Sequence, residues 1–263
     1  MPYIERRIQS GNLLEVEKYY ATRHGQKLPR GANENDTPED MAKVNERRSQ
    51  KKLHRLICTN FSRANGDLFA TYTYGSAVTE ADAMKGERNL IARIKRLRKR
   101  KGLPELKYIV ITEKQGRWHH HIIMNGGLTL EEVKTVWGDR GARISLSVLD
   151  DTNSYEELAR YLTAQHKSKR GSENTENVKQ QRQKGQRRWH ASRNLKQPVE
   201  TVKVIARAPK PGEPKERKGY RLMPNWFFGC DVYGYVYSYA AYVKQDEEKT
   251  KRTGGRAHGG KQV

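Results

Sequence analysis

The sequence predicts an α+β protein with a central, mainly antiparallel sheet flanked by helices. Three observations predict it. Short β-branched and aromatic runs recur with strand-like alternation. Helix starts are marked by capping residues, at Thr37-Pro38-Glu39-Asp40, Thr79-Glu80-Ala81-Asp82 and Leu128-Thr129-Leu130-Glu131-Glu132. From Leu68 onward the order reads strand, helix, strand, strand, helix, strand, helix, and its two adjacent strands form a tight hairpin.

Residues 1–35 open with a strand pair, Tyr3–Ile8 and Leu14–Tyr20, split by Ser10-Gly11-Asn12. Pro38 stands at the first position of a helix that runs to about Cys58. Asn65-Gly66-Asp67 is turn chemistry. In the strand Leu68–Tyr74, the residues Leu68, Ala70, Tyr72 and Tyr74 share a face. Thr79 caps a long helix with Leu90, Ile91, Ile94 and Leu97 as its apolar stripe. That helix ends in Lys95–Lys101, denser in cations than a helix C-terminus needs. Ala142–Leu149 alternates as a strand, and Tyr155 to about His166 has helical spacing at Leu158, Tyr161 and Leu162. Lys167–Gln186 is basic and rich in Gly, Ser, Asn and Gln, the composition of a mobile loop. Val199–Ala206 is a further strand and Pro209–Pro214 a linker. In the aromatic segment 220–243, Val232–Tyr237 reads as a strand and Ala240-Ala241-Tyr242 as the turn into a helix. Residues 245–263 read as a disordered basic tail.

Composition narrows the partner. Lys and Arg number 52 against 30 acids in 263 residues, a formal charge of +22. That excess points to a polyanion, most simply nucleic acid. No apolar run is long enough to span a membrane, and the first residues lack the apolar core of a signal peptide. Only Cys58 and Cys230 are present, too few for a disulfide framework or a zinc ribbon. A reducing cytoplasm is the expected location.

The stretch with most chemistry is Lys107–Asn125, KYIVITEKQGRWHHHIIMN. Tyr108–Thr112 is one strand, Glu113–Arg117 a turn and Trp118–Met124 a second strand. Side chains alternate along a strand, so His119 and His121 point one way and His120 the other. A hairpin can bring the carboxylate of Glu113 beside the two imidazoles. Two His and a carboxylate on a rigid sheet suit a divalent metal with positions left open for substrate.

Three stretches together resemble the rolling-circle replication initiators of the HUH endonuclease superfamily, in particular the Rep proteins of plasmids and phages. His119-His120-His121 with Ile122-Ile123-Met124 stands where the family has His, a bulky hydrophobe and His. Phe69–Tyr74 looks like its Thr-rich first motif, and Tyr161 sits where its helical tyrosine does. Trp189–Pro198 is similar to a segment that follows that helix in phage-type Rep proteins. The chain departs from the pattern at His120, which replaces the hydrophobe, and at Ala164, where the family often has Lys. The resemblance implies an HUH endonuclease fold with an RRM-like sheet, and a cofactor of Mg²⁺ or Mn²⁺ held by Glu113, His119 and His121. It implies Tyr161 as nucleophile, with Tyr155 as its rival, and a cut that leaves a 5′-phosphotyrosine and a free 3′-OH.

The expected partners are single-stranded DNA at a replication origin and, because no Gly-rich phosphate loop with Lys-Ser or Lys-Thr occurs, a host helicase and polymerase. The expected location is the cytoplasm of a bacterial host. The candidate DNA contacts are Arg96, Arg98, Lys99, Arg100 and Lys101 on the basic helix end. Lys167, Lys169, Arg170, Arg187, Arg188 and Arg193 join them from the loop and the segment after it. The expected organisation is an N-terminal extension with a basic helix (1–50), the endonuclease domain (51–206), an aromatic segment packing on it (207–244) and the tail. The rivals are a single-tyrosine transposase or relaxase of the same superfamily, and a non-catalytic DNA-binding protein with an incidental His run.

Overall fold

A computed structural model describes residues 2–21, 37–138, 141–152, 154–163 and 189–245. The first half of the chain holds β1 (Tyr3–Ser10), β2 (Leu13–Tyr20), α1 (Pro38–Asn60), β3 (Leu68–Tyr74) and α2 (Glu80–Arg100). The central hairpin is β4 (Tyr108–Gln115) and β5 (Arg117–Met124), followed by α3 (Leu130–Trp137), β6 (Gly141–Val148) and α4 (Glu156–Thr163). The rest is β7 (His190–Ala191), β8 (Val199–Ile205), β9 (Tyr220–Leu222), β10 (Phe227–Cys230) and β11 (Val236–Lys244). The class is α+β, as expected, but the strands form two antiparallel sheets rather than one.

The chain divides into two units, and the boundaries differ from those expected. The described residues between 37 and 196 form one unit, so α1 belongs with the histidine strands rather than with an N-terminal extension. The described residues 2–21 and 197–245 form the other. The reason is strand pairing: β1 pairs with β8, and β2 pairs with β11. The segment 207–244 therefore completes a sheet with the N-terminal hairpin, in the order β10-β11-β2-β1-β8 with β9 against β11. Within it, Ala240-Ala241-Tyr242 lies in mid-strand, not at a helix start, because each residue pairs with β2. Val232 to Tyr235 is the hairpin turn rather than strand, since Gly234 adopts φ 78° there. Residues 246–263 of the expected tail lie outside the described residues.

In the unit 37–196 the sheet order is β6-β3-β5-β4-β7, all antiparallel where paired. Alternation gives it two faces. Leu68, Ala70, Tyr72 and Tyr74 of β3, Ile122 and Met124 of β5 and Val110 of β4 share a buried face. The stripe of α2 (Leu90, Ile91, Ile94) and Val133, Val136 and Trp137 of α3 close the same core. Full burial of each such aliphatic side chain contributes about 1.5–3 kcal/mol. The opposite face carries Thr71, Ile109, Ile111, Glu113, His119, His121 and Ile123, and α4 comes over it at Tyr161. Both helices α2 and α3 start as read, with Thr79 and Thr129 accepting from Asp82 N–H and Glu132 N–H.

One member of the basic helix end does not face solvent. Arg98 is 2% exposed and donates to the carbonyls of Pro104 (2.9 Å), Asn125 (3.0 Å) and Gly126 (2.8 Å). It ties α2 to the chain on either side of the β4–β5 hairpin and is not a DNA contact. Its alkyl stem sits on the apolar stripe side, so helical phase buries it while Lys99 and Arg100 stay exposed. Arg98→Met should cost about 3 kcal/mol in urea unfolding, because it leaves buried carbonyls unpaired. Arg100→Met should stay within about 0.5 kcal/mol. Equal effects at the two positions would reject this account.

Candidate active site

The hairpin turn is tighter than read from the sequence. Gly116 alone, at φ 69°, separates Gln115 from its partner Arg117, so Glu113 lies within β4 rather than in the turn. Register then places Glu113 directly opposite His119, with His121 two residues along the same face. His119 Nε2 and His121 Nε2 each stand 3.3 Å from Glu113 Oε1. All three ligand atoms lie within 4.8 Å of one another, and all three residues are buried.

Neighbours set the imidazoles for coordination. His119 Nδ1 meets the carbonyl of Arg117 at 3.0 Å, and a carbonyl only accepts. Nδ1 therefore carries the proton and Nε2 presents its lone pair toward Glu113. His121 Nδ1 meets Thr71 Oγ1 at 3.0 Å, and a hydroxyl that accepts there fixes the same tautomer. Phe69 stacks on the His121 ring, 5.7 Å between centroids. Held Nδ1–H groups and inward Nε2 atoms are the usual support of metal-ligating His. The donor set, two imidazoles and one carboxylate, thus fits a divalent cation. It is the only group of three or more such side chains among the described residues.

Tyr161 projects from α4 onto this cluster, its ring 5.5 Å from that of His121. Burial raises its phenol pKa, and the charge of Glu113 raises it further. Tyr155 is placed differently. It is 2% exposed, its hydroxyl accepts from Arg63 N–H (3.2 Å) and donates to the Asp150 carbonyl (3.3 Å). Burial pushes its phenol up to about 12.

His120 lies on the opposite face, fully buried beside Tyr74 and Trp137. A hydrogen-bonded chain satisfies it, and a carboxylate sets the chain's direction. Thr112 Oγ1 donates to Glu87 Oε2 at 2.6 Å. It therefore accepts from His120 Nδ1–H at 2.7 Å, and His120 Nε2 accepts from Tyr74 Oη at 3.1 Å. Glu87 Oε1 takes His190 Nδ1–H at 2.9 Å. Burial, then the neighbouring His119 and His121, lower the His120 pKa to about 3, so the ring stays neutral. A polar ring thus occupies a position where a hydrophobe is expected, with every nitrogen paired. The Thr-rich strand Phe69–Tyr74 contains Thr71, but the sequence reading missed Glu87 and Thr112. No local signal marks them, because strand register and helix packing bring them to the histidines.

The remaining candidate residues divide. Arg96, Lys99, Arg100 and Arg193 are exposed, and Lys101 bonds Glu132 at 2.5 Å. Lys167, Lys169, Arg170, Arg187 and Arg188 lie outside the described residues. The segment after them docks as β7 on the edge of β4, with Ser192 N–H donating to the Tyr108 carbonyl.

Residues 67–169 match the family model described as Replication-associated protein ORF2/G2P. The match covers β3 through α4, less than half of the chain, and includes Glu113, the three histidines and Tyr161. It is consistent with a Rep-type rolling-circle replication initiator. No curated protein and no solved structure matches the chain. Among the described residues no helix is long and apolar enough to cross a membrane.

Gly86 on α2 underlies the His120 chain: a Cβ there would stand 1.8 Å from Tyr74 Oη. Gly86→Ala should destabilise the protein by about 2 kcal/mol in spite of alanine's better helix propensity. The same substitution should cost less in a Tyr74→Phe background, where the clashing oxygen is gone. A double-mutant cycle by urea unfolding measures the difference, and additive costs would sink the assignment.

Proposed function

We propose that this replication-associated chain is a rolling-circle initiator: a metal-dependent, site-specific endonuclease that nicks and rejoins single-stranded DNA through a tyrosine. One observation carries the reading. The ring of Tyr161 lies 5.5 Å from that of His121, beside the cluster of Glu113, His119 and His121, inside the stretch that matches the family model.

Glu113, His119 and His121 would hold Mg²⁺ or Mn²⁺, the mixed donor set being compatible with Mn²⁺. When bound, such an ion polarises the scissile phosphate and stabilises the charge that develops on it and on the leaving oxygen. The Tyr161 phenol is protonated at neutral pH, its pKa being raised by burial and by Glu113. A cation held there would offset the Glu113 charge, the smaller of these two effects. Tyr161 Oη then forms a bond to phosphorus while the bond to the 3′ oxygen breaks. The phenol proton is lost, and the 3′ oxygen gains one. The phosphodiester energy is kept in a 5′-phosphotyrosyl bond, so the reverse reaction rejoins strands. The free 3′-OH would prime a host polymerase working with a host helicase. The target is single-stranded or extruded DNA, because the phosphate must enter in a defined pose. Arg96, Lys99, Arg100, Lys101 and Arg193 would follow the DNA backbone, joined by Lys167, Lys169, Arg170, Arg187 and Arg188, which lie outside the described residues. Binding should then fall steeply with salt.

Incubation with circular single-stranded DNA of the parent element, in Mn²⁺ or in EDTA, tests the chemistry. A covalent adduct on a denaturing gel should require the metal and vanish in Tyr161→Phe, with DNA affinity kept within about twofold. An adduct that survives the substitution would remove Tyr161 from the role. Thr71→Val should weaken Mn²⁺ affinity about 10–100-fold by calorimetry, through loss of the His121 support. Unchanged affinity would show that Thr71 does not orient the ligand.

A further inference from the structure

The unit of residues 2–21 and 197–245 exposes aromatic surface that its own packing does not use. Val232 and Tyr233, at the closed end of the β10–β11 hairpin, are 92% and 81% exposed. They are nonetheless held in place. Asp231 Oδ1 accepts from the backbone N–H groups of Tyr233 and Tyr235, each at 2.9 Å. Asp231 N–H donates to the Tyr235 carbonyl and Gly234 N–H to the Asp231 carbonyl, each at 3.0 Å. Gly234 supplies the positive φ that closes the turn. Behind the tip, Tyr235 stacks face to face on Tyr20, 3.9 Å apart and 3° from parallel. On the strands the Tyr237 ring covers Gly229, and Phe227 packs beside it at 5.7 Å; both rings are more than a third exposed.

A rigid turn that shows a β-branched residue and a tyrosine to water gains nothing for folding. It does lower the entropy lost when a partner orders against it. The chemistry at the base of the same hairpin selects the partner. Residues 203–221 carry seven Lys or Arg against two Glu, and Arg207, Lys210, Lys215, Lys218 and Arg221 are exposed. Part of this segment, residues 207–217, lines a common cleft with Phe227 and Phe228 at the base of the hairpin. Cations at the base of a hairpin and open rings at its tip match a strand whose phosphates and bases are both accessible. Duplex DNA keeps its base faces stacked inside.

We propose that the β10–β11 hairpin tip is a base-stacking platform for single-stranded DNA, a binding surface in addition to the candidate active site. Tyr233 stacks on an unpaired base, Val232 packs against its edge, and the cations of 203–221 follow the phosphates. The inference rests on the reading that this chain works on single-stranded DNA, and not on the tyrosine chemistry.

The test uses the full chain carrying Tyr161→Phe, in EDTA, so that binding is read without cleavage. Fluorescence anisotropy compares a short mixed-sequence single strand with the duplex of the same sequence. The double substitution Val232→Ser, Tyr233→Ala should weaken single-strand binding about tenfold and leave duplex binding within about twofold. Tyr233→Phe keeps the ring and should bind as the parent does, and circular dichroism should show the same fold in all variants. The tip variant with native Tyr161 should still form the covalent adduct at saturating oligonucleotide, which separates loss of this surface from failure of the nicking reading. Unchanged single-strand affinity overturns the proposal whatever the nicking result. Equal losses on single strand and duplex overturn base stacking. A changed sedimentation coefficient without DNA, with DNA affinity unchanged, overturns it in favour of self-association through the tip.

Discussion

The pairing of β4 with β5 is the constraint on which the candidate site depends. One glycine closes the turn, and the register that follows sets Glu113 opposite His119. A slip of one residue would send His119 and His121 to the core and His120 to the open face. The buried side chains resist such a slip. Ile122 and Met124 belong to the core under α2 and α3, and His120 has partners only on that side. The register of the metal-type ligands is thus held by groups on the opposite face of the sheet.

That arrangement places polar groups where a small domain can least tolerate unpaired ones. The chain answers with a directed series of hydrogen bonds from Tyr74 through His120 and Thr112 to Glu87. Each donor and acceptor in it is used, so the cost of burying a neutral imidazole is largely offset. The series also joins α2 to both strands of the hairpin. Gly86 makes room for its first member, which explains a glycine in the middle of a long helix. Arg98 repeats the logic in the last turn of the helix, bonding the carbonyls that flank the hairpin. Arg98, which reads in the sequence as surface charge, is a fastener of the sheet.

The other unit shows a different economy. Its sheet is assembled from the two ends of the chain, with β1 and β2 between β8 and β11. Its aromatics serve in part as packing, as Tyr242 does in the core with Leu14 and Val16. Others stand on the hairpin tip, fixed by Asp231 and Gly234 rather than by burial. The same residue type therefore has two physical roles within a dozen positions.

Local chemistry made much of this readable from the sequence. Capping threonines, alternating apolar residues and the His119-His120-His121 triplet act over a few residues, and the helices, the strands of the histidine sheet and the two-faced triplet follow from them. The charge of +22 pointed to a polyanion because composition needs no fold. Only tertiary structure decided which distant strands pair, and so that residues 207–244 complete the N-terminal sheet. It alone decided which carbonyls Arg98 reaches, and that Thr71 and Glu87 support the histidines. Those outcomes depend on register and packing between segments far apart in sequence, and no short window of residues encodes them.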